Sequence, residues 1–560
     1  MRRVWDMRGV WDFAFLGEAE PEEVEVGAIE FGDGMGVPGC FDASPRYAGR
    51  RGLAAYRMRG WAPKGGRYRL ILDGVHHWGR VYVNGEARGD HVGGFTRFGV
   101  DFEQGGAGEV EVVVLVDNRF NYERCPLHLD YFDWYQYGGI ARGVELHALG
   151  EVWIEGVRVV TEDYAGRKLS LEVGYGAKDA PGETELQVRF DGEVVLEEVV
   201  GLIEASGEIR RRMEVPEAEL WSPEEPNLHM VEVRLGGDDM RARVGIRQVR
   251  REGRQILLND KPVRLLGVNR HESHPQIGHG LPDAMLVADG QLVRDLGCNF
   301  VRGAHYPQDV RWLDLCDEMG FMVWSEVLGW QHTAQHLTDP HFMQAQLTNL
   351  EEMVASAFNH PSVIVYGILN ESRSDDAECR PGYERLLSRL RELDATRLVT
   401  YTVTRPEKDL CLDLVDVIAV DCYPGWYDER PENIPQYLDG IADTIESRGF
   451  DDKPLMIAEI GAGAIWGWRD WNAGYWSEQY QVRLLETEMR HLLAEESRWC
   501  GMTIWQLCDC RTSETTGRAL GRPRNFNNKG IVDEYRRPKM AYELVRSYYR
   551  GARERSRRQG

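Results

Sequence analysis

Two glutamates stand at the ends of apolar runs that have the length of a buried strand. Residues 362–371 read SVIVYGILNE and end on Glu371, and residues 454–459 read PLMIAE and end on Glu459. Such runs of Val, Ile and Leu predict strands covered on both faces, as in a parallel sheet flanked by helices. Two carboxyl groups that meet over one bond are the groups that hydrolyse a glycosidic linkage. The pair therefore indicates glycoside hydrolysis.

Other polar residues also follow strand-like apolar runs in the second half of the chain. They are Asn269, Arg270, His271, Glu272, Arg302, His305, Tyr306, Glu326, Asn370, Asp421, Tyr423, Trp426, Tyr427, Trp505 and Asp509. Each of them alone has a structural explanation, because a buried histidine can serve a carbonyl and a buried glutamate can pair with an arginine. Their shared position at the carboxyl ends of strands predicts one active site at one rim of a barrel.

The chemistry assigns a role to each member of the pair. In a retaining glycosidase the two carboxyls lie about 5–5.5 Å apart, one as nucleophile and the other as acid and then base. The acid must keep its proton near neutral pH, which requires burial and a second carboxyl nearby. The nucleophile must stay ionised, and Arg302 and Tyr423 are the candidates to support it. Asn370, beside Glu371, is the candidate to hold the sugar 2-hydroxyl.

The elements that must position these residues begin at about residue 250. From there to the end, eight strand-like runs alternate with amphipathic helical segments. Eight such units in about 300 residues predict a (β/α)8 TIM barrel, which we assign as the catalytic domain over residues 250–560. A doubly wound sheet is the alternative, but it is disfavoured because no glycine-rich phosphate turn follows a strand.

The first 249 residues read as short strands separated by turns. Residues 1–149, with a hairpin signal at Asn84-Gly85, predict a jelly-roll sugar-binding domain, and residues 150–249 predict an immunoglobulin-like β-sandwich. Within the first of these, residues 129–140 read LDYFDWYQYGGI and contain Asp133. This stretch either packs a loop or reaches across to the pocket of a neighbouring domain.

Composition excludes several other classes of function. The net charge of -24 argues against nucleic acid and anionic membranes as partners. No signal peptide or membrane-spanning run is visible, and the 10 cysteines contain no CxxC pair, so we expect a cytoplasmic protein without disulfides. We expect no cofactor, no metal and a homo-oligomer. The arginines at 550, 553, 555, 557 and 558 predict a solvated tail.

Several motifs in order along the chain resemble glycoside hydrolase family two. They are GVNRHE at 267–272, RGAHYP at 302–307, ILNES at 368–372, PLMIAE at 454–459 and IWQ at 504–506. The resemblance covers nearly the whole chain and implies a jelly roll, an immunoglobulin-like sandwich and a barrel. It implies that Glu371 is the general acid and base and that Glu459 is the nucleophile.

Residues 526–545 bear on the identity of the substrate, because they resemble the Asn-x-Lys segment of bacterial β-glucuronidases. A uronic acid carries a carboxylate at C6, and its pocket needs a cation and a polar donor, which Lys529 and Asn527 would supply. A surface turn is the alternative for Asn-Asn-Lys-Gly. The resemblance also implies Tyr423 near the nucleophile and Tyr427 and Asp133 near the sugar. The full set of expected substrate-binding residues is Asp133, His271, Asn370, Tyr423, Tyr427, Trp505, Asn527 and Lys529.

The sequence departs from the family at Asp421, where we expect Asn, and at Ile460, where an aromatic residue often follows the nucleophile. Asp421 would add negative charge near a uronate.

The family motifs and the Asn-x-Lys segment together predict a retaining exo-β-glucuronidase that works through a covalent glycosyl-enzyme intermediate. The alternatives are the same mechanism on a β-galacturonide or β-galactoside, and a carbohydrate-binding protein without catalysis.

Overall fold

The computed structural model describes residues 2–124, 132–180, 182–427, 429–513 and 521–559. It contains two β-sandwiches followed by a closed parallel barrel, which confirms the predicted fold class. Of the segment 129–140, residues 129–131 lie outside the described residues, whereas Asp133 lies within them. The domain boundaries at 149 and 249 stay predictions.

The first sandwich has two antiparallel sheets and a short two-stranded ladder. In spatial order the four-stranded sheet contains Arg3–Asp6, Val144–Ala148, Gly66–Leu72 and Phe98–Gln104. The six-stranded sheet contains Asp33–Val37, Gly9–Gly17, Leu53–Ala62, Gly108–Asp117, Trp78–Val83 and Glu86–Val92. The ladder pairs Gly139–Ile140 with Val75–His76. Burial alternates along the strands, so that Tyr68, Leu70 and Leu72 face the core.

The hairpin predicted at Asn84-Gly85 is confirmed. Trp78–Val83 pairs antiparallel with Glu86–Val92 across this turn. Asn84 has φ 51° and Gly85 has φ 79°. Two successive residues with positive φ form the turn whose twist matches that of the strands, and Asn followed by Gly is the pair that adopts it most readily.

The second sandwich has seven strands, as in an immunoglobulin-like domain. Its three-stranded sheet contains Val152–Asp163, Lys168–Ala177 and Ser206–Glu214. Its four-stranded sheet contains Glu193–Leu202, Gly182–Phe190, His229–Leu235 and Asp238–Val244. A small sheet follows, formed by Val249–Glu252, Gln255–Leu258 and Lys261–Val263. Leu258 from this sheet packs with Leu265 and Trp324 in one buried cluster with the barrel interior.

The barrel closes because its first strand pairs in parallel with both the second and the eighth. In order, barrel strands one to eight are Leu265–Arg270, Phe300–Gly303, Met322–Glu326, Val363–Ile368, Leu398–Val403, Ile418–Asp421, Leu455–Ile460 and Trp499–Ile504. Nearly every residue of these strands is buried, as unbroken apolar runs require. A two-stranded ladder of Cys510–Arg511 and Phe526–Asn527 lies beyond the eighth strand.

Helices surround the barrel. In the described ranges the α-helices are Asp283–Leu296, Val310–Met319, Ala334–Leu337, Pro340–Ala357, Arg380–Leu393, Ile434–Ser447, Glu478–Leu492 and Ala541–Gln559. The short 3-10 turns are Pro21–Glu23, Val26–Ala28, Phe41–Ala43, Leu412–Leu414, Pro431–Asn433 and Pro523–Asn525. None of the helices in the described ranges is both long enough and apolar enough to cross a membrane.

Two sequence expectations need correction. Residues 404–417, which join barrel strands five and six, are all described and contain the 3-10 turn Leu412–Leu414 in place of an α-helix. Arg550 and Arg553 lie in the helix Ala541–Gln559, so this part of the expected tail is helical, although Arg550 is exposed to solvent as predicted. Arg550 pairs with Asp295 at 2.6 Å, so the acidic first barrel helix gives this end of the chain a partner. The side chains at 557 and 558 lie outside the described residues.

Candidate active site

Glu459 ends a buried run of barrel strand seven and accepts two hydrogen bonds. Arg302 Nη1 donates to its Oε1 at 2.8 Å, and Tyr423 Oη donates to its Oε2 at 2.6 Å. The side chain is 4% exposed. Burial raises the pKa of Glu459, whereas the Arg302 guanidinium and the Tyr423 hydroxyl oppose that rise. A guanidinium and a phenol together stabilise the carboxylate form.

Glu371 follows barrel strand four and accepts only neutral donors in the contacts of the described residues. Trp330 Nε1 donates to its Oε2 at 3.1 Å, and Gln331 Nε2 donates to the same oxygen at 3.3 Å. Burial raises the pKa of Glu371 above its ordinary value, and these two donors oppose the rise. Leu369 and Glu371 both have φ 49°, a left-handed conformation that costs about 1–3 kcal/mol per residue and that accumulates at functional sites.

The strands bring the two glutamates together. One carboxyl oxygen from each of Glu371, Asp421 and Glu459 lies within 4.8 Å of the others. This is compatible with the separation of about 5–5.5 Å in retaining glycosidases and shorter than the roughly 6.5–9.5 Å of inverting ones. The different donors at the two carboxyls divide the roles, because a charged donor favours the ionised form of Glu459.

One end of the site, which we call the acid end, contains Glu371, Asp421 and Glu459. Arg302 is the cation at this end. Besides Glu459, it donates to Glu326 at 3.1 Å, to Asn269 at 3.1 Å and to Asn370 at 2.6 Å. His305 Nδ1 lies 2.8 Å from Glu326 Oε1. Burial raises the pKa of Glu326 to about 7 and holds the pKa of His305 well below its ordinary value.

Asn370 is fixed through its oxygen and leaves its amide nitrogen available. Its Oδ1 accepts from Arg302 and, at 2.5 Å, from Thr402 Oγ1. Its Nδ2 is buried without a hydrogen-bond partner in the described part of the chain. A buried donor without a partner costs about 1–3 kcal/mol, which a ligand acceptor such as a sugar hydroxyl would recover.

The opposite end of the site, which we call the cation end, contains the Asn-x-Lys segment with Lys529. Lys529 Nζ donates to Tyr427 Oη at 2.8 Å and lies 4.9 Å from the centre of the Tyr427 ring and 5.2 Å from that of Tyr423. Lys529 is 3% exposed, so it does not form part of an open surface turn. The ladder between Cys510–Arg511 and Phe526–Asn527 places this segment over the barrel.

Asp133 crosses from the jelly roll to this end of the site. Asn527 Nδ2 donates to its Oδ2 at 2.8 Å. Arg522 donates to both carboxylate oxygens, at 2.6 and 2.7 Å, and to Tyr427 Oη at 3.1 Å. Of the two readings of residues 129–140, the contacts of Asp133 therefore favour a stretch that reaches the barrel pocket.

Aromatic rings line the space between the two ends. His305 stacks on Trp505 with centroids 5.0 Å apart, and His271 meets the edge of Trp505 at 5.3 Å. Trp134, from the jelly roll, stacks on His271 at 5.4 Å. Burial holds the pKa of His271 well below its ordinary value, so its ring is neutral. Its Nε2 has no hydrogen-bond partner within the described ranges.

Three of the polar strand-end residues belong to ion pairs away from the acid cluster. Arg270 pairs with Asp289 at 3.0 Å, Glu272 with Arg142 at 2.8 Å, and Asp509 with Lys539 at 2.7 Å. These pairs hold the barrel to its helices and to the jelly roll. For these three residues the structural explanation is the better one.

Three contacts of the site are not among the sequence predictions. They are Trp330 and Gln331, which donate to Glu371, and Arg522, which pairs with Asp133. Arg522 had a signal, because it lies five residues before Asn527 in the segment GRPRNFNNKG. Trp330 and Gln331 had none, because they follow barrel strand three in a loop without a motif.

Two groups of acidic and histidine side chains come close enough to consider a metal. Within the described residues they are Glu371, Asp421 and Glu459, and Asp314, Asp317 and His360. An arginine already donates to each group, Arg302 to Glu459 at 2.8 Å and Arg243 to Asp314 at 2.6 Å. A guanidinium therefore serves as the cation in both groups. The absence of a cofactor or metal stays a prediction.

Comparison with known proteins places this site in a family. Residues 249–553 match "Glycosyl hydrolases family 2, TIM barrel domain", and residues 154–247 match "Glycosyl hydrolases family 2". The chain belongs to glycosyl hydrolase family 2. It is an enzyme of the glycoside hydrolase class, as the sequence predicts.

Relatives with known names cover most of the chain. The β-glucuronidase of Sus scrofa is 29% identical over 87% of this chain and 78% of its own length. That of Paenibacillus borealis is 28% identical over 98% of this chain and 96% of its own length. Among solved structures, a β-galacturonidase of Eisenbergiella tayi bound to galacturonate is 35% identical, with a TM-score of 0.91 over 98% of this chain and 97% of that one. A β-D-glucuronidase of Dictyoglomus thermophilum is 26% identical, with a TM-score of 0.84 over 98% of this chain and 97% of that one.

Proposed function

We propose that this family 2 enzyme is a retaining exo-β-uronidase, which removes a terminal β-linked hexuronate from its aglycone. The burial and the pairing of Lys529 are the observation that supports a uronide as the substrate. Its ammonium is buried and, in the described part of the chain, pairs with a phenol and no carboxylate. A buried charge without a counter-ion is costly, and a carboxylate at C6 of the sugar would supply one. A neutral hexose would leave the ammonium unpaired.

Arg522 adds a second donor to the same pocket. Its guanidinium and the Lys529 ammonium both donate to Tyr427 Oη, at 3.1 and 2.8 Å. Asp133 neutralises Arg522, whereas Lys529 retains its charge for the ligand. Asn527 contacts Asp133 as well, and its amide nitrogen is the polar donor that a uronate needs. The pocket therefore combines cationic and neutral donors around one anion.

The acid end performs the chemistry in two steps. In the first, a Glu459 carboxylate oxygen attacks the anomeric carbon while Glu371 gives its proton to the glycosidic oxygen, so that the aglycone leaves as an alcohol. In the second, Glu371, now ionised, takes a proton from water, which attacks the anomeric carbon and releases Glu459. Two inversions give a β-uronic acid as the first product.

Asn370 and Arg302 assist both steps. The free Nδ2 of Asn370 suits the sugar 2-hydroxyl, a contact that strengthens as positive charge develops on the ring. Arg302 and Tyr423 hold Glu459 through separate oxygens, which orients the nucleophile before substrate binds.

The exo mode, in which only a terminal sugar is removed, is supported by contacts that close the pocket at the cation end. Asp133, Arg522 and Asn527 join the jelly roll to the barrel through three hydrogen bonds of 2.6 to 2.8 Å. These three residues form a wall beside Tyr427 and Lys529, where the end of the sugar away from the glycosidic bond would lie. A chain that continued beyond the uronate would collide with the wall.

Two configurations at C4 are candidates. The predicted β-D-glucuronide is supported by the curated relatives, which are β-glucuronidases with 29% and 28% identity. The β-D-galacturonide is supported by the 35% identity to the galacturonate-bound enzyme of Eisenbergiella tayi over almost the full chain. Both share the C6 carboxylate, so Lys529 serves either.

A panel of aryl β-glycosides tests the proposal. Purified enzyme is assayed with the 4-nitrophenyl glucuronide, galacturonide, galactoside and mannoside, and proton NMR follows the anomer that appears first. We expect turnover of one or both uronides, little of the neutral sugars, and β product before mutarotation. Cleavage of the galactoside alone would refute the uronide, and α product would refute retention.

The same panel addresses the remaining alternative, a carbohydrate-binding protein without catalysis. Binding of a uronate in calorimetry without turnover of any glycoside would favour that alternative. The cytoplasmic location and the homo-oligomeric state stay predictions from the sequence.

A further inference from the structure

Asp421 is a third carboxyl in the site, and the two-step mechanism does not use it. It ends barrel strand six beside Tyr423, and one of its oxygens lies within 4.8 Å of carboxyl oxygens of Glu371 and Glu459. Its side chain is buried, with the residue 3% exposed. Neither of its oxygens has a hydrogen-bond partner in the described residues.

The charges around Asp421 do not allow every acid of the site to ionise. The charged and titratable groups that face it are Glu459 from strand seven, Arg302 from strand two, Glu371 after strand four, and Tyr423 on its own strand end. Arg302 is the cation among them, and it is already shared between Glu459 and Glu326. Like charges so close together keep at least one carboxyl protonated.

The contacts decide which carboxyls keep a proton. Glu459 accepts from a guanidinium and a phenol, so it is the acid best able to lose its proton. Glu371 must be protonated to act as the acid. Asp421 has no donor to stabilise a carboxylate in the described residues, because the nearby hydroxyl of Thr402 on strand five donates to Asn370 Oδ1.

We infer that Asp421 is a positioning residue held as a neutral acid, so that Glu459 is the single ionised carboxyl that faces the anomeric carbon. The inference rests on the proposed function, because it acts through the nucleophile. An ionised Asp421 would place a second negative charge in the cluster, which would oppose ionisation of Glu459 and raise the pKa of Glu371. Burial, followed by the charge of Glu459, raises the pKa of Asp421 well above its ordinary value, and Arg302 opposes this only in part.

Asp421→Asn is the direct test, because an amide has the size of the neutral acid and cannot ionise. We expect kcat/KM of the cleaved aryl uronide to stay within about threefold of wild type near neutral pH. The alkaline limb, which reports the proton of Glu371, should stay in place, because replacing a neutral acid by an amide removes no charge from the cluster. A limb that moves downward by about one pH unit overturns the inference, because an ionised Asp421 would then have raised the pKa of Glu371. So does a folded Asp421→Asn enzyme without activity, because the carboxylate would then be required.

Glu488→Gln is the matched control. Glu488 is also a buried acid whose two oxygens have no partner in the described residues, but it lies on the helix Glu478–Leu492, outside the acid cluster. Burial raises the pKa of Glu488 as well. We expect Glu488→Gln to leave the pH profile of kcat/KM unchanged. An equal shift in both variants would trace the limb to stability and overturn the inference.

Thermal unfolding provides a readout that does not depend on turnover. Below the ordinary pKa of aspartate both states of the chain hold the proton, and above it only the folded state does, so wild type loses stability as pH rises through that window. Asp421→Asn has no such loss. The difference in Tm between variant and wild type should therefore grow between about pH 5 and about pH 8.

A difference in Tm that stays constant over this range overturns the neutral state of Asp421. If no aryl uronide is cleaved, the proposed function fails, and the Tm series still tests Asp421. If uronides are cleaved, and the limb moves downward or the difference in Tm stays constant, the inference about Asp421 fails alone.

Discussion

The two ends of the pocket carry opposite excesses of charge. At one end carboxyl oxygens of Glu371, Asp421 and Glu459 lie within 4.8 Å of each other, and Arg302 donates to Glu459. At the other end Lys529 and Arg522 both donate to Tyr427, and Asp133 pairs with Arg522. The two ends are joined by aromatic rings and neutral histidines.

This difference matches the charges of one sugar. A uronide has a permanent negative charge at C6, and its transition state develops positive charge around C1 and the ring oxygen. Under the proposed function, the cation end would recognise the substrate in its ground state, and the acid end would stabilise the transition state. Recognition and catalysis would then be performed by different residues, so variants at the two ends should affect different kinetic constants.

The largest effect is expected at the acid end, from Glu459→Ala. Removal of the nucleophile prevents the glycosyl-enzyme intermediate, and kcat should fall on the order of 10⁴-fold. Steady-state kinetics with the best aryl uronide measures this loss. Circular dichroism and Tm are the controls for folding. Turnover that persists in the folded variant would remove Glu459 from the mechanism.

Glu371→Ala should cost less and in a manner that depends on the leaving group. General acid catalysis contributes about 10²–10⁴-fold, mostly for leaving groups that need a proton. An aryl group with an acidic phenol should lose little in the first step, and azide should restore the second step and give a β-uronosyl azide. Wild-type activity should fall as pH rises through the raised pKa of Glu371, because the acid must be protonated.

In the Glu371→Ala variant this alkaline loss should be absent for an activated substrate, measured as the pH profile of kcat/KM. A limb that stays in place would assign the acid to another group. An α-configured azide product would exchange the roles of the two glutamates.

At the cation end, Lys529→Met should weaken uronide hydrolysis and spare neutral sugars. A desolvated charge pair is worth about 2–5 kcal/mol, which corresponds to a loss in kcat/KM of about 30-fold to about 4,000-fold. The loss should fall mainly on KM. Any residual galactosidase activity is the internal control, since methionine keeps the length of the side chain. Equal loss on both substrates would mean that Lys529 holds the fold and does not recognise the uronate.

Arg522→Lys should have the smallest effect of the series. Lysine keeps the charge but cannot make the two parallel bonds to Asp133 and also reach Tyr427, so a loss of about tenfold is expected. Arg522→Gln, which removes the charge, should lose more. If both variants lose the same amount, the geometry of the guanidinium matters at this wall and its charge does not.

Much of the architecture could be predicted from local patterns. Unbroken Val and Ile runs reported the parallel strands of the barrel, and Asn84-Gly85 reported a hairpin, because these signals depend on neighbours in the chain. We predicted a helix between barrel strands five and six, where the structure has a loop with a 3-10 turn. A short loop and a short helix have similar composition, so the sequence did not distinguish them. The helical conformation of the chain around Arg550 was missed, because the partner of this arginine, Asp295, lies 255 residues away.

The site divides in the same manner. Glu371, Glu459 and Lys529 could be named because each lies in a local motif of strand or turn residues. Trp330, Gln331 and the Asp133–Arg522 pair could not be placed, because those contacts join loops and domains distant in sequence. Which of the other strand-end residues contact the two glutamates was also open, since Arg270 and Glu272 look no different in sequence from Arg302 and Glu326.

By itself the sequence determined the parts: a family 2 barrel with two sandwiches, two glutamates at strand ends and a lysine in a uronate-type segment. The tertiary structure decided how they are used. Closure of the barrel brings Arg302 to Glu459 and not to Glu371, which distinguishes the proposed nucleophile from the proposed acid. It also buries Lys529 without a carboxylate partner within the described residues and leaves Asp421 without a donor there. Burial and pairing depend on groups brought together from the whole chain, and no local pattern records them.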